Sequence, residues 1–165
     1  MRVLTLFFLF LVGLTPVVAS ENNPECGQGR SQNTLVGPAP LTAQLHASAK
    51  NQGGESIFFS KGQFEKETFR YLGEVTVSSA KKWHIVFLTT IWGESCRSTP
   101  RLLIFNEDKI FVGQYSHFGP RNIIIDGDTL LFEDADPRYG NKVKFESSGP
   151  PQTAYIDGDN FKLYR

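Results

Sequence analysis

The side chains best able to do chemistry gather in GQYSHFGPR (Gly113 to Arg121), where Tyr115, His117 and Phe118 stand beside Ser116, Arg121 and a Gly-Pro turn. A histidine in such a loop titrates near neutral pH and can serve as acid or base. Aromatic residues grouped with arginine are also what protein interfaces concentrate at their anchor points. FEDADPRYGN (Phe132 to Asn141) adds Glu133, Asp134, Asp136 and Arg138. Asp134 or Asp136 is the partner on offer to a catalytic His117, and Arg138 joins Tyr115, His117 and Phe118 as a candidate binding residue.

Other motifs fail on spacing. GESCR (Gly93 to Arg97) places Arg97 where a nucleophile elbow needs its second glycine, and Pro100 follows instead of a helix. His46, His84 and His117 are never at metal-ligand spacing, and no Cys-x-x-Cys occurs. His46 is expected on the exposed side of a short helix, and His84 as a hydrogen-bonded structural residue. IDGD occurs twice, at Ile125 to Asp128 and Ile156 to Asp159. The residues ahead of Gly127 lack the alternating carboxylates of a calcium loop. Asp-Gly between apolar runs is a hairpin signal, so Asp126-Gly127 and Asp157-Gly158 are expected as the turns. No catalytic residue, metal or cofactor is therefore assigned.

The elements that must position these residues come from the pattern of apolar side chains. MRVLTLFFLFLVGLTPVVAS has the layout of a secretory signal peptide: Arg2, an apolar run too short to span a bilayer, and small residues allowing cleavage after Ala19 or Ser20. About 145 residues remain of 165, enough for one domain. Losing Arg2 turns 17 basic and 17 acidic side chains into 16 against 17, which gives no footprint for nucleic acid. No later stretch is apolar for long enough to cross a membrane. Cys26 and Cys96, in an oxidising compartment, read as one disulfide. Closing a loop of about 70 residues would contribute roughly 4 kcal/mol.

Residues 20–40 read as an extended arm tethered by Cys26, and 41–165 as the folded domain. LTAQLHASAK (Leu41 to Lys50) is the one helical stretch, of at most about three turns. In ETFRYLGEVTV (Glu67 to Val77), period-two alternation puts Phe69, Tyr71, Val75 and Val77 on one strand face. WHIVFLTTIW (Trp83 to Trp92) is apolar on both faces, as a central strand covered on both sides must be. Three hairpins follow Pro100, and KVKFE (Lys142 to Glu146) precedes the last.

The fold class is therefore all-β: a single antiparallel domain of about nine or ten short strands, as a barrel, sandwich or propeller-like array, with one short N-terminal helix. Secreted inhibitors of cell-wall-cleaving enzymes share this plan of export, small β domain and single disulfide, a likeness of architecture alone. The functional expectation is an exported, non-catalytic module that binds a protein in the envelope or outside the cell, as an inhibitor or immunity-type protein does. A small extracytoplasmic hydrolase or lyase using His117 is the alternative. A carrier of an apolar ligand is the third.

Overall fold

The computed structural model describes residues 32–53, 66–77, 81–92, 97–116 and 122–165. Ten strands and one helix follow in chain order: β1 Gln32–Val36, α1 Ala39–Gly53, β2 Lys66–Thr76, β3 Lys82–Trp92, β4 Arg97–Asn106, β5 Phe111–Ser116, β6 Ile123–Asp126, β7 Thr129–Phe132, β8 Lys142–Lys144, β9 Thr153–Ile156 and β10 Asp159–Lys162. The all-β expectation holds, and the antiparallel pairing expected of the domain is broken at one place, where β1 runs parallel to β2. No barrel closes. Strands β1 to β5 form one open sheet in sequence order, β6-β7-β8 a second, and β9-β10 a third.

Strand β3 lies at the centre of the large sheet, and its doubly apolar sequence accounts for the layers. Val86 and Leu88 point to one side, where Leu45 and Ala49 of α1 pack on them with Phe69, Leu103, Phe105 and Phe111. Trp83, Ile85 and Phe87 point to the other, against Leu130, Phe132, Val143, Phe145, Ala154 and Ile156 of the small sheets. The order is helix, large sheet, small sheets, with a separate apolar cluster at each interface.

Three details depart from the sequence reading. The helix runs 15 residues, about four turns, because Ala39, Ala43, Ala47 and Ala49 sustain it until Gly53. The alternation of β2 changes face midway. Phe69 and Tyr71 pair with Leu88 and Val86 on the helix side, but a bulge between Tyr71 and Gly73 admits Leu72 as an extra residue, so Val75 and Val77 turn to the opposite core. A one-residue slip exchanges faces, which simple alternation cannot foresee.

The third departure is the first Asp-Gly turn. Asp126 pairs with Thr129, so the loop is Gly127-Asp128, with positive φ at Gly127 and none at Asp128, as in a type II′ hairpin. The expected register would have set Asp128 opposite the inward Ile125; the observed one sets Leu130 there. The second turn is as expected: Asp157 at φ 54° and Gly158 at φ 89° join Ile156 to Asp159 in the I′ manner.

Two glycines separate backbone strain from crowding. A side chain at Gly127 would meet nothing within 4 Å, whereas one at Gly140, φ 86° and ψ 123°, would lie 2.7 Å from the Tyr155 carbonyl oxygen. Gly127→Ala should cost about 1–2 kcal/mol from left-handed strain alone. Gly140→Ala should cost at least about 3 kcal/mol. Urea denaturation of the two variants checks the order, and equal losses would show that the Gly140–Tyr155 approach is slack.

Candidate functional site

The structure separates the residues that the sequence grouped. Tyr115 is 1% exposed, inside the core between the large and small sheets, and its hydroxyl donates to the Pro151 carbonyl. Burial pushes its pKa well up. It is a core residue, so its expected place among surface contacts is corrected: on β5 it pairs with Leu102, another inward residue. His117 and Phe118 lie outside the described residues, as do Cys26 and Cys96.

Arg138 is exposed, with 80% of its side chain accessible, but not idle. Its guanidinium sits over the Tyr139 ring, 5.6 Å from the centroid, and its Nη2 donates to Asp136 Oδ2 at 2.6 Å. Asp136 also caps the 3-10 turn Pro137–Tyr139 by accepting from the Arg138 N–H. That pairing holds the Asp136 carboxyl below and the Arg138 guanidinium above their usual ranges. Asp134 accepts from the Asn122 N–H at 2.8 Å. Both carboxylates offered to a catalytic His117 thus already serve the local fold. Among the described residues, no three imidazole, thiolate or carboxylate groups converge on a metal position.

Two polar groups lie on the helix side of the large sheet, and sequence reading missed how deep they sit. At one end, Glu67 of β2 is 2% exposed, with Thr90 of β3 directly opposite and fully buried. His46, expected at the surface, tucks its ring edge against Phe69 at 5.1 Å and brings Nε2 to 3.5 Å from Glu67 Oε1. Arg101 of β4 is buried nearby; desolvation lowers its pKa and the Glu67 charge opposes the shift. Mutual neutralisation is what lets this acid and base lie in the packed layer.

At the other end, His84 is buried as a hydrogen-bonded structural residue. Its Nδ1 lies 3.2 Å from the Tyr71 hydroxyl and 3.6 Å from Glu74 Oε1. Lys82 holds Glu74 at 2.9 Å, keeping that carboxyl below its usual range. Burial, then the Glu74 charge, pushes the Tyr71 hydroxyl up to about 12. Burial is also the main cause that lowers His84, with Glu74 pulling the other way and Lys109 and Lys82 adding to the fall.

The remaining candidate surface is the outer face of the small sheets. Tyr139 and Tyr155, 52% and 48% exposed, flank Gly140, and Arg138 stacks on the first of them. By register, Ile124, Leu131 and Lys142 share one row of the β6-β7-β8 sheet, with Asp126, Thr129 and Lys144 in the next. A groove of about 390 Å³ runs between β8 and β9, lined among others by Lys142, Lys144, Thr153 and Tyr155. Exposed tyrosines, an arginine and two lysines beside a groove suit contact with a polypeptide better than bond-making.

Comparison of the chain with known protein families, with curated proteins and with solved structures finds no match.

The lowered His84 pKa sets a pH dependence. Its neutral form contributes stability that is fully present above the ordinary histidine pKa of about 6.5 and is lost as pH falls toward the depressed folded value. The urea midpoint should therefore drop between pH 7.5 and 5, and His84→Gln should flatten the drop. An unchanged slope in the variant would assign the effect to other groups.

Proposed function

We propose that this chain is an exported, non-catalytic binding module whose partner is a protein of the cell envelope or the extracellular space, in the manner of an inhibitor or immunity-type protein. The observation that carries the reading is the exposed group Arg138, Tyr139 and Tyr155 beside the β8–β9 groove. Tyrosine and arginine bring large contact areas and directional hydrogen bonds, and they dominate measured interface energies. Asp136 fixes Arg138 before any partner arrives, which reduces the ordering cost of binding. Of the four residues offered by the sequence, this reading uses Arg138, and it takes the exposed Tyr139 and Tyr155 in place of the buried Tyr115.

Export and the Cys26–Cys96 disulfide belong to the same reading and are supported by the leader-like amino terminus. An intact mass of the protein recovered from envelope or medium, shortened by 19 or 20 residues and lighter by two hydrogens, is the expected result. A full-length chain with two free thiols would contradict it.

The functional test is capture of a partner from envelope extract and culture fluid with the oxidised mature protein as bait. The Tyr139→Ala/Tyr155→Ala variant should lose at least tenfold in affinity, about 1.4 kcal/mol, while its urea midpoint stays near that of the wild type. Tyr115→Phe should do the reverse, keeping affinity and losing about 1 kcal/mol of stability with the Pro151 hydrogen bond. Capture indifferent to the tyrosine pair, or no stoichiometric partner at all, would overturn the choice of surface.

A further inference from the structure

The two small sheets meet at a join that begins and then stops. The Asp157 N–H donates to the Gly140 carbonyl and the Gly158 N–H to the Tyr139 carbonyl, each at 2.7 Å. Beyond those bonds β8 and β9 belong to separate sheets. The groove beyond them has Lys142, Val143 and Lys144 along one wall and Thr153, Ala154 and Tyr155 along the other.

Backbone alternation shows where their main-chain groups point. The Phe132 N–H donates to Asn141 and the Phe145 N–H to Asp128, so Asn141, Val143 and Phe145 turn their peptide groups toward β7. Lys142 and Lys144, between them, turn theirs away from it. On β9, the Leu163 N–H donates to Gln152, and Ile156 closes the hairpin with Asp159. Ala154 therefore bonds toward β10, while Thr153 and Tyr155 face β8. Two strand edges confront each other across the groove of about 390 Å³.

We infer that this slot takes the main chain of an extended segment of the partner protein, hydrogen-bonded to the facing edges of β8 and β9, with acidic side chains on its outward positions. The inference rests on the binding-module reading and names how the partner is held. An extended peptide adds to a sheet edge through backbone bonds and gains specificity from alternate side chains. Two edges offer twice the bonds of one. Seating a strand between them requires β8 and β9 to lie about 9.6 Å apart, two strand spacings, so the open end parts while the Gly140–Asp157 bond holds the other.

The acidic choice follows from charge. Lys142 and Lys144 point outward at the β8 edge, exposed on both sides of buried Val143. Lys144 reaches Asp128 at 3.4 Å, and Lys142 has no ion-pair partner among the described residues. Inward positions of the segment would sit between Val143 and Ala154, over the core, and must be apolar.

The test uses the mature oxidised chain, isotope-labelled, with a blocked heptapeptide alternating glutamate and valine as probe. Amide exchange at Lys142, Lys144, Thr153 and Tyr155 should slow at least tenfold at saturating peptide. Lys142→Glu, a surface change whose folding the urea midpoint verifies, should weaken that peptide at least fivefold and favour its lysine-valine counterpart. Binding without protection of these amides, affinity indifferent to Lys142→Glu, or no binding at millimolar peptide would each refute strand pairing. If a captured partner depends on Tyr139 and Tyr155 yet leaves the four amides unprotected, the binding module stands and the slot does not.

Discussion

The structure depends on one constraint: β3 cannot be left with either face in water. Its side chains from Trp83 to Leu88 are all buried, with apolar residues directed to both sides. A central strand of that kind needs a cover on each face, and a single sheet of this length supplies none. The helix between β1 and β2 covers one side and the strands after β5 cover the other. Parallel pairing of β1 with β2 is a consequence, because the chain must cross the sheet through α1 before returning to it.

The bulge in β2 reconciles that burial with polar neighbours. Without the extra residue at Leu72, Val75 and Val77 would face the helix layer and Glu74 would face the core of the small sheets. With it, Glu74 lies beside His84 and Lys82, where charges are answered, and the valines enter the apolar cluster. Gly73 carries φ 142° at this point, and a side chain there would come within 3.0 Å of Ile125. The small residue thus lets the bulge form and β6 approach β2, where the Thr76 N–H reaches the Gly127 carbonyl at 3.0 Å. A buried carboxylate such as Glu67 is tolerated by the same logic at the other end, through Arg101 and His46.

Strand count, the buried centre and the second hairpin were legible because each rests on local pattern: continuous apolarity, period two, and Asp-Gly with positive φ at both turn positions. The facing of β2 and the first turn were not, since both depend on a one-residue choice decided by what lies across the fold. Opposite Ile125 the structure puts Leu130 and not Asp128, which no short window of sequence can reveal. The candidate site was legible in part. Arg138 stands out in sequence as the one cation of FEDADPRYGN, and the structure shows its guanidinium held by Asp136. Tyr115 was misplaced because an aromatic residue near a strand end reads alike whether it caps the core or faces a partner. Tyr139 and Tyr155 carry readable signals of exposure: Tyr139 directly precedes the turn glycine Gly140, and Tyr155, on β9, alternates with buried Ala154 and Ile156.

Edges decide what such a fold can still bind. On the far side of the large sheet, β5 is closed by Tyr164, which exchanges backbone hydrogen bonds with Gln114 at 2.7 and 2.9 Å. At the opposite side, β1 has no second strand partner among the described residues and presents Leu35 and Val36, both exposed. An unguarded edge of that composition invites any strand, whereas natural sheets protect edges with lysine and with local irregularity. The β8–β9 gap has both protections, since Lys142 and Lys144 stand on one edge and the backbone bonding between the sheets stops after the Asp157–Gly140 and Gly158–Tyr139 bonds. A guarded edge rejects most strands but admits one whose carboxylates answer its lysines, so the feature that prevents indiscriminate pairing is also what makes pairing selective.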